Sequence, residues 1–144
     1  MKRQVIIDTG PLVAFLNHRD RYHTWAKARF AELSPPLLTC EAVIAEACYL
    51  LRGTPGGAHA VIELISRGVI EIPFRLAPHA GALELLMERY ASVPASLADA
   101  FLVLLSELFP ESVVLTLDAE FQIYRRHGKS RIALIIPEHP SGRR

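Results

Sequence analysis

The chain has little that would hold it together covalently or attach it to a polyanion by bulk charge. It contains two cysteines, Cys40 and Cys48, which the sequence places on one helix. At about 1.5 Å rise per residue they stand about 12 Å apart, beyond the roughly 7 Å that a disulfide can bridge, so both read as buried thiols. A net charge of +1 and a pI near 7.9 exclude a protein that coats nucleic acid through its overall charge, and leave room only for a local basic patch. No run approaches the roughly 18 apolar residues of a membrane span. Met1-Lys2-Arg3-Gln4 leads into Val5-Ile6-Ile7 before Asp8 intervenes, too short an apolar stretch for a signal-peptide core. The expectation is therefore a cytoplasmic protein.

Several chemistries are also missing. The histidines His18, His23, His59, His79, His127 and His139 make no zinc-like spacing with one another or with the cysteines. Gly53-Thr54-Pro55-Gly56-Gly57 is glycine-rich but lacks the Lys and Ser/Thr of a phosphate-binding P-loop. There is no G-x-S-x-G elbow, and neither cysteine is placed like an activated nucleophile.

What is present is a largely apolar chain of 144 residues, 51% hydrophobic with mean hydropathy +0.23. That length suits one domain, which buries roughly two thirds of the surface its unfolded form exposes. The domain spans residues 1–144, with 137–144 expected as a flexible tail. Strands are predicted at residues 4–8, 37–39, 69–72, 113–115 and 132–136. Helices are predicted after Thr9-Gly10-Pro11, after Asp20 as N-cap, and at 41–51, 58–66, 78–91, 96–108 and 120–126. The helix at 41–51 is apolar around most of its circumference and is expected to be central. Short strands without strict alternation, separated by helices, imply a mostly parallel sheet covered on both faces.

Into this apolar pattern the sequence sets four carboxylates: Asp8 closing Val5-Ile6-Ile7, Glu46 within Val43-Ile44-Ala45-Glu46-Ala47-Cys48, Asp99 within Leu97-Ala98-Asp99-Ala100-Phe101-Leu102, and Asp118 closing Val113-Val114-Leu115-Thr116-Leu117. An ionised carboxylate in apolar surroundings is costly unless it is paired or coordinates a cation, and no Lys or Arg lies within these runs. Each has a local alternative. Asp118 could cap the next helix, Ser96-x-x-Asp99 matches a capping box, and Asp8 could accept backbone hydrogen bonds at a turn. Glu46 is too far inside its helix for capping and could snorkel at the edge of the core. One common cause accounts for all four. Ligands of a parallel sheet bind beyond the carboxyl ends of its strands, where Asp8 and Asp118 fall and toward which the helices of Glu46 and Asp99 could point. An all-carboxylate site suits Mg²⁺ or Mn²⁺, as two metals roughly 3.5 to 4 Å apart or one held partly through water. The chemistry such sites serve is phosphodiester hydrolysis.

The remaining candidates stay open. His23 could border the site or be a surface residue in the first turn of a helix, and Tyr22, Trp25, Tyr90 and Tyr124 could be core, rim or base-stacking platforms. After Asp118 the chain carries Arg125, Arg126, Lys129, Arg131, Arg143 and Arg144 against Glu120 and Glu138. This basic end is either a solvated face or an RNA contact, with Arg125, Arg126, Lys129 and Arg131 as the candidate patch.

Val5-Ile6-Ile7-Asp8-Thr9-Gly10-Pro11-Leu12-Val13-Ala14, the Glu46 helix, Ser96-Leu97-Ala98-Asp99-Ala100 and Leu115-Thr116-Leu117-Asp118-Ala119-Glu120-Phe121 resemble the ordered acidic motifs of PIN-domain nucleases, most nearly those of VapC-type toxins of toxin-antitoxin pairs. The resemblance implies a three-layer α/β/α sandwich with a mainly parallel five-stranded sheet and a Mg²⁺- or Mn²⁺-dependent endoribonuclease. In it Asp8, Glu46, Asp99 and Asp118 form the acidic cluster, Asp8 and Asp99 foremost as direct ligands, and Thr116 orients Asp118 or a water on the metal. It also implies a homodimer and an antitoxin that inserts into the active groove. Competing readings are a PIN-fold module that binds RNA or protein without cutting, and an RNA-processing nuclease that is not a toxin. An aspartyl-phosphate phosphatase would want a second Asp where Gly10 stands, and a response-regulator receiver would want an acidic pair and a late Lys that this chain lacks.

Overall fold

A computed structural model describes residues 3–93 and 95–140. Five strands form one sheet in the order β3-β2-β1-β4-β7, every neighbouring pair parallel. β1 (Gln4–Ile7) and β4 (Ser112–Leu115) make its centre. They pair along their full length from Gln4↔Ser112 to Ile7↔Leu115, so Asp8 and Thr116 follow at matched positions on one edge. β2 (Leu37–Leu38), β3 (Ile70–Glu71) and β7 (Leu134–Ile135) are two residues each. The apolar side chains of β1 and β4 are buried, as a sheet covered on both faces requires. The chain is the expected α/β/α sandwich.

The helices are α1 (Thr9–Leu16), α2 (His23–Glu32), α3 (Glu41–Leu50), α4 (Gly57–Ser66), α5 (Ala80–Arg89) and α6 (Leu97–Leu108). Asp8 caps α1, and Pro11 sits in its first turn, where backbone N–H groups have no partner within the helix. Asp20 does not cap α2 as expected. Its carboxylate instead accepts the N–H of Tyr22 at 2.9 Å and shapes the turn before the helix.

The central helix is α6, not α3. Every residue from Ala98 to Ser106 is buried in α6, which packs on α5, α3, β4 and β1. On α3 the inward face is Val43, Ile44 and Ala47, while Ala45, Glu46, Tyr49 and Leu50 are exposed. An apolar circumference was read as burial, but apolar side chains also make up much of a folded surface. Cys40 immediately precedes α3 and is buried, Cys48 is half-buried, and both are free thiols.

The other departures lie near the C-terminus. In place of a helix at 120–126, a 3₁₀ turn (Ala119–Gln122) leads into a hairpin of β5 (Arg125–Arg126) and β6 (Ser130–Arg131). His127 and Gly128 both take positive φ (51° and 69°), and Lys129 N–H donates to the Arg126 carbonyl at 2.9 Å. A chain reversal of this kind ends any helix. The strand expected at 132–136 contracts to Leu134–Ile135. The tail expected at 137–144 lies partly outside the described residues. Within them Pro137 is buried, and the Tyr22 hydroxyl donates to the His139 carbonyl at 2.9 Å.

Tyr90 fastens the hairpin to the body of the domain. Its hydroxyl accepts the N–H of Arg125 at 2.8 Å and donates to the Arg125 carbonyl at 3.3 Å. Tyr90→Phe keeps the ring and strands a half-buried N–H, a defect worth about 1–3 kcal/mol. Urea denaturation should show a loss in that range, and an unchanged midpoint would refute the clamp.

Candidate metal centre

The carboxyl edge of the sheet collects the acidic residues. Asp8 follows β1, and its backbone N–H continues the ladder to the Leu115 carbonyl at 3.0 Å. Its side chain is buried, with 7% of its surface exposed. It accepts the Thr9 N–H and the Thr116 hydroxyl, both at 2.7 Å. Thr116, fully buried, also accepts the N–H of Asp118 at 2.9 Å. One hydroxyl thus ties the carboxylate that ends β1 to the chain that leaves β4.

Asp99 stands at the third position of α6, buried like Asp8. It forms the capping box foreseen as an ordinary alternative: Ser96 Oγ accepts the Asp99 N–H at 3.0 Å, and Asp99 Oδ2 accepts the Ser96 N–H at 3.1 Å. Asp118 likewise caps the 3₁₀ turn, accepting the Glu120 N–H at 2.9 Å. Neither duty removes these groups from a site, because a carboxylate has two oxygens and about four acceptor directions. Asp99, Asp118 and Glu120 each offer an oxygen within 4.8 Å of the others. The hydroxyl of the buried Tyr124 reaches Asp99 Oδ2 at 3.3 Å and Glu120 Oε2 at 3.5 Å.

Glu120 is the residue that sequence reasoning missed. In the sequence it is a charge of the C-terminal region and part of the Leu115–Phe121 motif, but not a candidate ligand. The signal was Asp118-Ala119-Glu120, since an Asp that bonds to the backbone two residues on folds the chain back toward its own side chain. Glu46 is not one of these three and lies on the exposed face of α3. Its supposed burial, the reason for selecting it, is not observed. His23 is half-buried, with Nδ1 2.8 Å from the Ala14 carbonyl. Tyr90 and Tyr124 are core residues, whereas Tyr22 and Trp25 are half-buried beside Ala14, Ala26 and Leu117.

Burial pushes the Asp8 carboxyl up to about 7, against the Thr116 and Thr9 hydrogen bonds that lower it, and the charges of Asp99 and Asp118 add to the rise. Burial also pushes the Cys40 thiol up to about 11, away from the thiolate form that makes a cysteine reactive. The donor set fits a hard divalent cation. It is all oxygen, drawn from separate elements, and its Asp residues are preoriented by backbone N–H groups.

A PIN domain model matches residues 5–126, and the chain belongs to the PIN domain family. The fold is similar to that of a solved toxin, VapC20 of Mycobacterium tuberculosis, described as cleaving the sarcin-ricin loop. The TM-score is 0.65 and the sequence identity 19%, over 77% of this chain and 87% of that one. No curated protein matches in sequence. Among the described residues no helix is long and apolar enough to cross a membrane.

Two stability measurements test the site. Asp8 has an ordinary value of 3.8 and a folded value of about 7, so between these the metal-free native state holds a proton that the unfolded chain has lost. That contribution is complete below about pH 4 and disappears as pH rises through about 7, at most about 4 kcal/mol. Urea midpoints in EDTA should fall between about pH 5 and about pH 8, and fall less in Asp8→Asn. Equal slopes would remove the buried, strained carboxyl from the account. Mn²⁺ at about a hundred times its Kd should then add about 2.7 kcal/mol at neutral pH. Identical midpoints in EDTA and in Mn²⁺ would mean that the carboxylates hold no cation.

Proposed function

We propose that the chain is a metal-dependent endoribonuclease, the toxin of a toxin-antitoxin pair. The observation that carries this reading is the meeting of Asp99, Asp118 and Glu120 within 4.8 Å, beside the buried Asp8, at the carboxyl edge of a parallel sheet. Membership of the PIN family and the VapC-like fold support it. Asp99, Asp118 and Glu120 would hold Mg²⁺ or Mn²⁺, with Asp8 alongside them. Glu46 is a further acidic residue carried by the resemblance. A cation held there would supply positive charge to polarise a phosphodiester and to lower the pKa of a water, so that hydroxide is available near neutral pH once that proton passes to solvent.

The chain's own residues provide position and environment. Thr116 fixes Asp8 and, through the Asp118 N–H, the start of the turn that bears Asp118 and Glu120. Ser96 holds Asp99, and Tyr124 spans Asp99 and Glu120. The apolar walls of β1, β4 and α6 exclude water from one side, which strengthens every charge interaction at the site. The toxin reading brings with it a cognate antitoxin and a homodimer.

Purified protein, freed of any co-purifying inhibitor, should cut RNA at discrete positions with Mg²⁺ or Mn²⁺ and not with EDTA. Thr116→Val should cost about 10- to 100-fold in cleavage, as loss of a ligand's outer partner does. Asp99→Asn should cost more than that, with RNA binding retained. Glu120→Gln should weaken Mn²⁺ binding, read by calorimetry, more than Glu46→Gln does. Cleavage that survives both Asp8→Asn and Asp99→Asn would refute the nuclease reading. RNA binding by a protein that never cuts would identify a binding module instead.

A further inference from the structure

The hairpin after Tyr124 concentrates positive charge in a way that its own stability does not favour. Between Arg125 and Arg131 the chain carries Arg125, Arg126, Lys129 and Arg131 and no carboxylate. Arg125 and Arg131 are direct cross-strand partners, an arrangement in which like charges destabilise a strand pair. The strands are two residues long, so the ladder offers little to offset this. The exposed Arg89 of α5 adds a guanidinium at the turn, 3.4 Å from where a Cβ on Gly128 would stand. Among the described residues none of these cations is in a salt bridge. The nearby carboxylate of Glu107 accepts the His127 N–H at 2.7 Å.

Two further features separate shape from binding. The Arg125 guanidinium donates to the carbonyls of Gln122, Ile123 and Tyr124 at 2.8 to 3.0 Å, so Arg125 holds the turn together. Arg126 is half-buried, and its Nε is buried without a hydrogen-bond partner. Lys129 and Arg131 are exposed. The hairpin is fixed to α5 by Tyr90, and the residue before it, Tyr124, touches Asp99 and Glu120. The hairpin therefore starts at the carboxylate cluster, where Tyr124 touches Asp99 and Glu120, and runs along α6 to Glu107, eight residues or about 12 Å along the helix from Asp99.

We propose that this hairpin binds the phosphate backbone of the RNA that the carboxylate site cuts, with Arg126, Lys129 and Arg131 contacting phosphates and Arg125 preserving the hairpin's shape. The inference rests on the endoribonuclease reading and supplies what that site lacks. A cluster of carboxylates repels a polyanion, and a chain of net charge +1 has no bulk field to overcome the repulsion. A fixed group of guanidinium and ammonium donors beside the site does so locally, and guanidinium matches phosphate with paired donors.

The test measures binding of a labelled, mixed-sequence single-stranded oligoribonucleotide as a function of KCl, by anisotropy, in the Asp99→Asn protein. Adding Lys129→Ala and Arg131→Ala should lower affinity at low salt about tenfold or more. It should also flatten the log K against log salt slope by about 1.4, or about 0.7 per lost phosphate contact. Lys129→Arg with Arg131→Lys should keep the slope. The thermal midpoint should not fall when the alanines are added, and with Asp99 restored Mn²⁺ affinity should be the same with and without them, which excludes misfolding. An unchanged slope and affinity would overturn the proposal while leaving metal-dependent cleavage intact. Polyglutamate binding that depends on these residues, with RNA binding indifferent to them, would overturn it in favour of an acidic protein partner. A flattened slope in a protein whose parent cuts no RNA would support the hairpin and refute the nuclease.

Discussion

Thr116 is the point on which the site's geometry depends. Its hydroxyl, buried between two central strands, donates to Asp8 at 2.7 Å and accepts the Asp118 N–H at 2.9 Å. Those bonds require the register that sets Ile7 against Leu115, because a one-residue slip would turn every side chain beyond it to the other face. The hydrophobic pairing of β1 with β4 thus fixes more than the core. It decides which oxygen meets which hydrogen at the edge, and through Asp118 it sets where the turn bearing Glu120 begins.

The acidic residues reconcile two explanations that the sequence set in opposition. Asp8, Asp99 and Asp118 each accept a backbone N–H at the start of a helix or turn, so each is an ordinary cap. These carboxylates are held by elements that would need capping in any case, and Asp99 and Asp118, so held, still each offer an oxygen to the group they form with Glu120. Capping offsets part of the cost of gathering negative charge, since a backbone N–H favours the ionised form. At Asp8 that offset is incomplete and burial prevails.

Much of this was legible in the chain itself. Strand–helix alternation led to the parallel sandwich, and carboxylates set in apolar runs singled out Asp8, Asp99 and Asp118 as candidates, because such features are local in sequence. Two expectations of burial had a common origin in treating hydrophobicity as position. Glu46 and the α3 helix were read as central from composition, yet the buried helix is α6, and which of two apolar helices lies inside depends on tertiary packing. Glu120 and the β5–β6 hairpin were lost for a different reason. Arg125 and Arg126 continue a helical pattern on paper, and only the positive φ values of His127 and Gly128 reverse the chain there.

That reversal changes the meaning of the basic residues. On a continued helix Arg125, Arg126, Lys129 and Arg131 would spread around the circumference as a solvated face. Folded back, they share one short hairpin pinned by Tyr90 and contiguous with Tyr124. Charge that is negligible when summed over the molecule becomes concentrated in one element that starts at the carboxylates and runs along α6. On the proposed reading a polyanion would be drawn along α6 by this element and would enter the site only where a cation neutralises the carboxylates. Metal and RNA would then favour each other's binding without any movement of the fold.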